Sequence, residues 1–439
     1  MSFNPLKEKG IPLEKQFRTW KQITQLPYRK QDVDAYTRCR VILMNGIEME
    51  AFAFSHAFAR NLADMELKGQ LAFVRRVEDQ QQTTINWLNP ADQTVLETTI
   101  AYEQVAIDLT AYLARHEPDQ YVKEVFDFGL LEDFDHLYRY SQFLDLVEGK
   151  DPNEILQGKT DVFPGRPTQD HHNDPLLRLR KHYEKNQASP ISKAHILTLM
   201  AGEQQTHNFY KAHGFQYGSP ELREIYAEIA EVEEEHVTQY ESLMDSTETW
   251  IEKWVLHEFN EVADYYTCYS TEVDPRIKQI WELFLNYELE HLRIAGEALK
   301  KHENREPEEV VGDSLPTPAT FEENKQYVRR VLEEQARKRL APDGAFAFVK
   351  DLPADWPSYP YQRVVNADGA PTEQAVRFRM ESAGQELLRV DDAWVARAPE
   401  FRIDALDAEI APNTAPRTAD DLISQAPNVA AAAGAKGRR

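Results

Sequence analysis

The chain matches itself without a gap at a shift of 155 residues (203 − 48), and this constrains the fold more than any other feature. At that register Glu48 meets Glu203, Glu78 meets Glu233, Glu103 meets Glu258, Asp133 meets Glu288 and His136 meets His291. Ala72 with Ala227, Val77 with Val232, Thr83 with Thr238, Glu97 with Glu252, Asp119 with Asp274 and Lys123 with Lys278 are further identities. A shared helical period alone does not produce such agreement across helices and turns alike, so the two halves read as a duplication.

Each half is punctuated as four helices. In the second, Ser189-Pro190, Ser219-Pro220 and Asp274-Pro275 place a capping side chain before a first-turn proline, and Ser246 or Thr247 opens another helix. Helices are expected over 190–213, 220–244, 247–269 and 275–302. The first half repeats the plan near 33–66, 70–88, 91–115 and 119–148, with Asn89-Pro90 and Glu117-Pro118 as start signals. The expected organisation is an N-terminal extension (1–32), a four-helix repeat (33–148), a turn-rich linker (149–188), a second four-helix repeat (189–303) and a C-terminal extension (304–439). One amphipathic helix near 321–340 is expected in that extension, with a mobile tail at NVAAAAGAKGRR. The fold class is all-α.

Helical period decides which way the repeated acids face. Leu199 and Glu203 share a face with Tyr210; Ile225, Ile229 and Val232 lead to Glu233 and His236; Val255, Glu258 and Val262 align with Tyr265; Ile280, Trp281 and Phe284 lead to Glu288 and His291. Each helix of the second half thus turns one glutamate inward. An unpaired buried carboxylate costs several kcal/mol, so four in one core require cations or protons. His236 and His291 follow their glutamates at i+3, which sets imidazole and carboxylate side by side. Taken alone, the run around Glu233 would be a solvated acidic face and either histidine a hydrogen-bonded core residue; the repetition argues for ligands. Only Cys39 and Cys268 occur, too few for a thiolate metal site, so any metal is held by oxygen and nitrogen.

With Glu from two helices and Glu-x-x-His from two others, the chain resembles the ferritin-like di-iron and di-manganese carboxylate proteins. The resemblance implies two antiparallel four-helix bundles and a pair of metals, two Fe or alternatively Mn or mixed Mn/Fe. It makes Glu203 and Glu258 terminal carboxylates, Glu233 and Glu288 bridging ones, and His236 and His291 one imidazole per metal. His207, four residues after Glu203, is a candidate outer hydrogen-bonding residue. The first half offers Glu48, Glu78, Glu103, Asp133 and His136, but Gln81 stands where His236 does and Asp133 where Glu288 does.

The family joins its second and third helices by a long crossover, whereas only 25 residues separate Glu233 from Glu258 (258 − 233). Two groupings follow. Each half closes on itself, or the linker 149–188 is the crossover and Glu103, Asp133, His136, Glu203, Glu233 and His236 form one set. Adjacency of sequential hairpins favours the first.

The implied activity is an O2- or peroxide-dependent oxidoreductase, with a small apolar substrate as a further partner. The rival is a metal-binding, storage or scaffold protein without an organic substrate. A formal net charge of −24 argues against nucleic acid, and no apolar run approaches the roughly 20 residues of a membrane span. The cytoplasm is the expected compartment, and a homodimer is compatible with the sequence.

Overall fold

A computed structural model describes residues 3–319, 321–391 and 394. It is mostly helical: α1 (Trp20–Ile23), α2 (Ala35–Arg60), α3 (Met65–Asn86), α4 (Val95–His116), α5 (Gln120–Phe143), α6 (Asn153–Leu156), α7 (Pro190–His213), α8 (Pro220–Glu241), α9 (Trp250–Thr271), α10 (Pro275–Glu303), α11 (Glu308–Val311), α12 (Lys325–Gln335), α13 (Ser358–Val365) and α14 (Pro371–Ala383). A small antiparallel hairpin, β1 (Lys338–Leu340) and β2 (Phe346–Phe348), follows α12. No helix of the described residues is long and apolar enough to cross a membrane.

The eight long helices start where a side chain satisfies their free N–H groups. Ser189, Ser219 and Asp274 cap α7, α8 and α10 as expected. Two start signals are corrected. α4 and α9 begin later, at Thr94 and Thr249, each closing a reciprocal capping box with Glu97 or Glu252. That box satisfies two donors at once, which Asn89-Pro90 and Thr247 cannot do. The first helix stops at Arg60 because Asp64 takes the N–H groups of Glu66 and Leu67 to start α3.

Packing pairs α2 with α3, α4 with α5, α7 with α8 and α9 with α10, as hairpins. α2 also packs on α4, α7 and α9, and α7 packs on both α4 and α9, so the first helix of every hairpin lies in the middle of the molecule. α2 is accordingly buried without a break from residue 35 to 48. Gly46 permits the approach to α7: a Cβ there would lie 2.9 Å from Gln205 Nε2 and 3.2 Å from the Ala201 carbonyl oxygen.

α5 is buried from Val125 to Phe143 although it carries Glu132, Asp135, Arg139 and Gln142. The linker and the C-terminal region cover it: α12 and α14 pack on it, and Gln142 exchanges two hydrogen bonds of 2.8 Å with the backbone of Leu387. The described part of the extension therefore holds α11, α12, the β-hairpin, α13 and α14 rather than one helix, and the tail assigned as mobile lies outside the described residues. Burying Glu132, Asp135 and Arg139 on α5 is tolerated because each is paired.

In the linker, a Cβ on Gly165 would sit 2.6 Å from the Leu131 carbonyl oxygen and 2.9 Å from the Asp135 nitrogen, both backbone atoms of α5. Gly165→Ala should destabilise the protein by about 1–3 kcal/mol. Gly69, inside α3 with nothing near its Cβ position, should by contrast stabilise by about 1 kcal/mol when changed to Ala. Urea midpoints moving in opposite directions are the expected result; equal shifts would show that the linker does not seat on α5 as described.

Candidate metal centres

The inward acids gather into two clusters. The first lies among α4, α5, α7 and α8 and holds Glu103, Asp133, His136, Glu203, Glu233 and His236; the second lies among α2, α3, α9 and α10 and holds Glu48, Glu78, Glu258, Glu261, Glu288 and His291. All are at most 2% exposed. The grouping expected from sequential hairpins is thereby corrected. Glu203, Glu233 and His236 face Asp133, whereas Glu258, Glu288 and His291 face Glu78, so the six second-half residues do not share one centre. The linker 149–188 separates the two hairpins that meet at the first cluster.

In the first cluster Glu233 stands between two imidazoles, its Oε1 3.0 Å from His136 Nδ1 and its Oε2 3.1 Å from His236 Nδ1. Asp133 and Glu203 lie 3.4 and 3.7 Å from the same His236 nitrogen. The other nitrogen, Nε2, donates to Glu132 Oε2 at 2.7 Å. That bond fixes the ring and leaves Nδ1 facing the carboxylates, the arrangement in which an outer carboxylate orients a metal-ligating histidine. Glu132 is itself held by Arg166 (3.1 Å) and Arg178 (2.7 Å), so these guanidinium charges serve Glu132 and not the inner four acids. Tyr210 donates to Glu103 Oε1. Both oxygens of Asp133 and one each of Glu103 and Glu203 have no hydrogen-bond partner.

The second cluster repeats this arrangement. His291 Nδ1 is 2.9 Å from Glu288 Oε2 and 3.8 Å from Glu258 Oε2, while its Nε2 donates to Gln16 Oε1 at 2.7 Å. Tyr265 donates to Glu48 as Tyr210 does to Glu103. Where the first cluster has His136, Gln81 donates to Glu48 Oε1 (3.0 Å) and Glu288 Oε1 (2.6 Å). The two clusters are related by a 55-residue step: Glu48 to Glu103 (103 − 48), Glu78 to Asp133 (133 − 78), Glu203 to Glu258 (258 − 203) and Glu233 to Glu288 (288 − 233).

Several participants escape the sequence reading. Glu261 follows Glu258 at the same i+3 interval that marks the histidines, and that interval could have found it. Glu132, Arg166, Arg178 and Gln16 act from a helix flank, the linker and the N-terminal segment, where no period marks them. His171, which a turn-rich linker suggests is a surface residue, is fully buried with its ring 5.4 Å from that of His136. His207 bonds the Ala230 carbonyl oxygen at 2.8 Å and joins neither cluster. No family model matches the chain, and no curated protein or solved structure matches it.

Burial, then the charges on Glu233 and Asp133, holds Glu103 well above the usual carboxylate range; burial and Glu203 do the same to Asp133. Burial pushes Glu203 up to about 7. For Glu233 burial is outweighed by the two imidazoles, which hold it low, and for His236 it is outweighed by Glu203 and Asp133, which raise it. Without metal, Glu103, Asp133, Glu203 and His236 each bind protons more readily in the folded state. Stability must then fall as pH rises, for Glu203 between about 4.5 and 7. Glu233 acts in the opposite sense only below about 4.5, its ordinary value. Metal-stripped protein should therefore melt at a lower temperature at pH 8 than at pH 5.5, and added divalent metal should restore the loss at pH 8. A melting temperature that does not fall over this interval in stripped protein would show that the carboxylates titrate as solvated groups.

Proposed function

We propose that the first cluster holds two iron or manganese ions and that the chain is a ferritin-like di-metal oxidoreductase using O2 or peroxide. The observation that carries this is Glu233, which turns one oxygen toward each of two buried imidazoles. A carboxylate so placed would hold two ions, with Asp133, Glu203 and His236 available to one and Glu103 and His136 to the other. The charge also fits: four carboxylates and two neutral imidazoles balance two divalent cations, whereas two imidazolium ions would leave two negative charges in a dry core. The internal duplication and the Glu-plus-Glu-x-x-His pattern support the family reading.

When bound, such a pair supplies redox equivalents to an oxidant at a carboxylate-rich site. The protein's own residues do the rest. Glu132 keeps the proton of His236 on Nε2, so Nδ1 stays available as a donor atom. Tyr210 holds Glu103 in place and is the nearest hydroxyl to offer a proton at its carboxylate oxygen. A narrow cleft lined by Ile42, Val105, Leu109 and Leu199, with Thr110, Gln205 and Thr206 also on its wall, reaches Glu203. Its wall is mostly apolar, which suits a small uncharged oxidant.

Anaerobic loading with ferrous iron followed by O2 is the test. A transient coloured species within the first turnover is expected, and it should be lost in Glu233→Ala while Glu78→Ala retains it. Slow mineral growth without a transient would support storage instead, and failure of the protein to take up iron or manganese at all would overturn the assignment.

A further inference from the structure

Besides Glu78 in place of Asp133, which keeps a carboxylate, the second cluster differs from the first by one exchange. Moving 55 residues along the chain, His136 corresponds to Gln81 (136 − 81) and Glu261 to Thr206 (261 − 206). In the first cluster an imidazole is present and Thr206 turns its hydroxyl back to the Gly202 carbonyl oxygen at 2.9 Å. In the second the imidazole is missing, and a carboxylate enters from the facing helix. We infer that Glu261 replaces the missing imidazole, making with Glu48 and the shared Glu288 an all-oxygen position for a hard divalent cation beside the Glu78, Glu258, Glu288 and His291 position.

The placement of Glu261 is the reason. It is 1% exposed, no N–H or hydroxyl donor bonds either of its oxygens, its carboxyl group meets that of Glu288, and a carboxylate oxygen of it lies within 4.8 Å of one on Glu48 and one on Glu288. Glu48 Oε2, Glu78 Oε2 and Glu258 Oε2 are also buried without a partner. Among the described residues no lysine or arginine pairs with any of the five acids; their only ionic contacts are with His291. The amide of Gln81 gives one oxygen each of Glu48 and Glu288 a donor and offers nothing to Glu261. Five carboxylates around one neutral imidazole leave a single negative charge once two divalent cations are bound, one more than in the first cluster. An oxygen-only position of this charge suits manganese or magnesium better than zinc or copper, which imidazole and thiolate favour.

This extends the di-metal reading of the first cluster but rests on different residues, so the two can fail separately. The probe is Mn2+ alone, titrated into the metal-stripped full chain and followed by calorimetry and EPR. Wild type should bind four ions. Glu261→Ala should bind three and convert one spin-coupled pair into an isolated Mn2+ spectrum, whereas Glu233→Ala should lose ions only from the first cluster. Adding Gln81→His to Glu261→Ala should restore the fourth ion with at least tenfold tighter binding than Glu261→Ala alone. Glu261→Ala binding four ions with an unchanged spectrum would overturn the inference. So would a wild type that binds only two ions, both lost in Glu233→Ala, because a proton shared between Glu261 and Glu288 would then be the neutralising charge; this outcome decides the matter even if Glu261→Ala fails to fold. Loss of an ion in Glu261→Ala with no effect of Glu233→Ala would leave this inference standing and remove the first-cluster assignment.

Discussion

A carboxylate that spans two imidazoles in a buried core is the interaction on which the architecture depends. Glu233 meets His136 from α5 and His236 from its own helix, and Glu288 meets His291 and Gln81 in the corresponding way. Removing such groups from water costs several kcal/mol each, which apolar packing around them does not return. The compensation has to come from opposite charge inside the cluster. Helices from distant parts of the chain are therefore held together where their acids converge, and the surrounding apolar residues fit that convergence.

The shells around the two clusters are built differently. At the first, the orientation of His236 passes through Glu132 to Arg166 and Arg178, which lie on the linker, so that linker belongs to the site. At the second, Gln16 does the same for His291, and Gln16 is held in turn by the Ile11 carbonyl oxygen at 2.7 Å. A carboxylate held by two guanidinium groups orients His236, and a neutral amide orients His291. Two clusters with related inner acids thus fix their corresponding imidazoles through different partners.

The eight helices, their inward glutamates and the i+3 histidines were legible because a buried helical face writes a period of 3.6 into the sequence. Ser189, Ser219 and Asp274 were legible as caps because local hydrogen bonding suffices to define them. Which hairpin faces which was not legible, since Glu203 is equally able to meet Asp133 or Glu288 by pattern alone. The deciding contacts are single close approaches such as Gly46 against Gln205 and Gly165 against α5, and these leave no periodic trace. Glu132 and Arg139 look like surface charges on α5 until the C-terminal region that covers them is placed.

The 55-residue step accounts for more of the architecture than the 155-residue one does. Each hairpin brings one glutamate on its first helix and an acid with its i+3 partner on its second, which is half of a cluster. Four such hairpins complete two clusters only if they pair off. The first helices α2, α4, α7 and α9 lie in the middle, so Glu48, Glu103, Glu203 and Glu258 all stand on the central layer, while the paired ligands come from α3, α5, α8 and α10 around it. Glu48 and Glu203 sit within three residues of Asn45 and Gln205, which hydrogen-bond across the α2–α7 contact. The two clusters therefore share one rigid wall; the exchange of His136 for Gln81 lies in the outer layer, and the carboxylate that answers it, Glu261, comes from the wall itself, on α9.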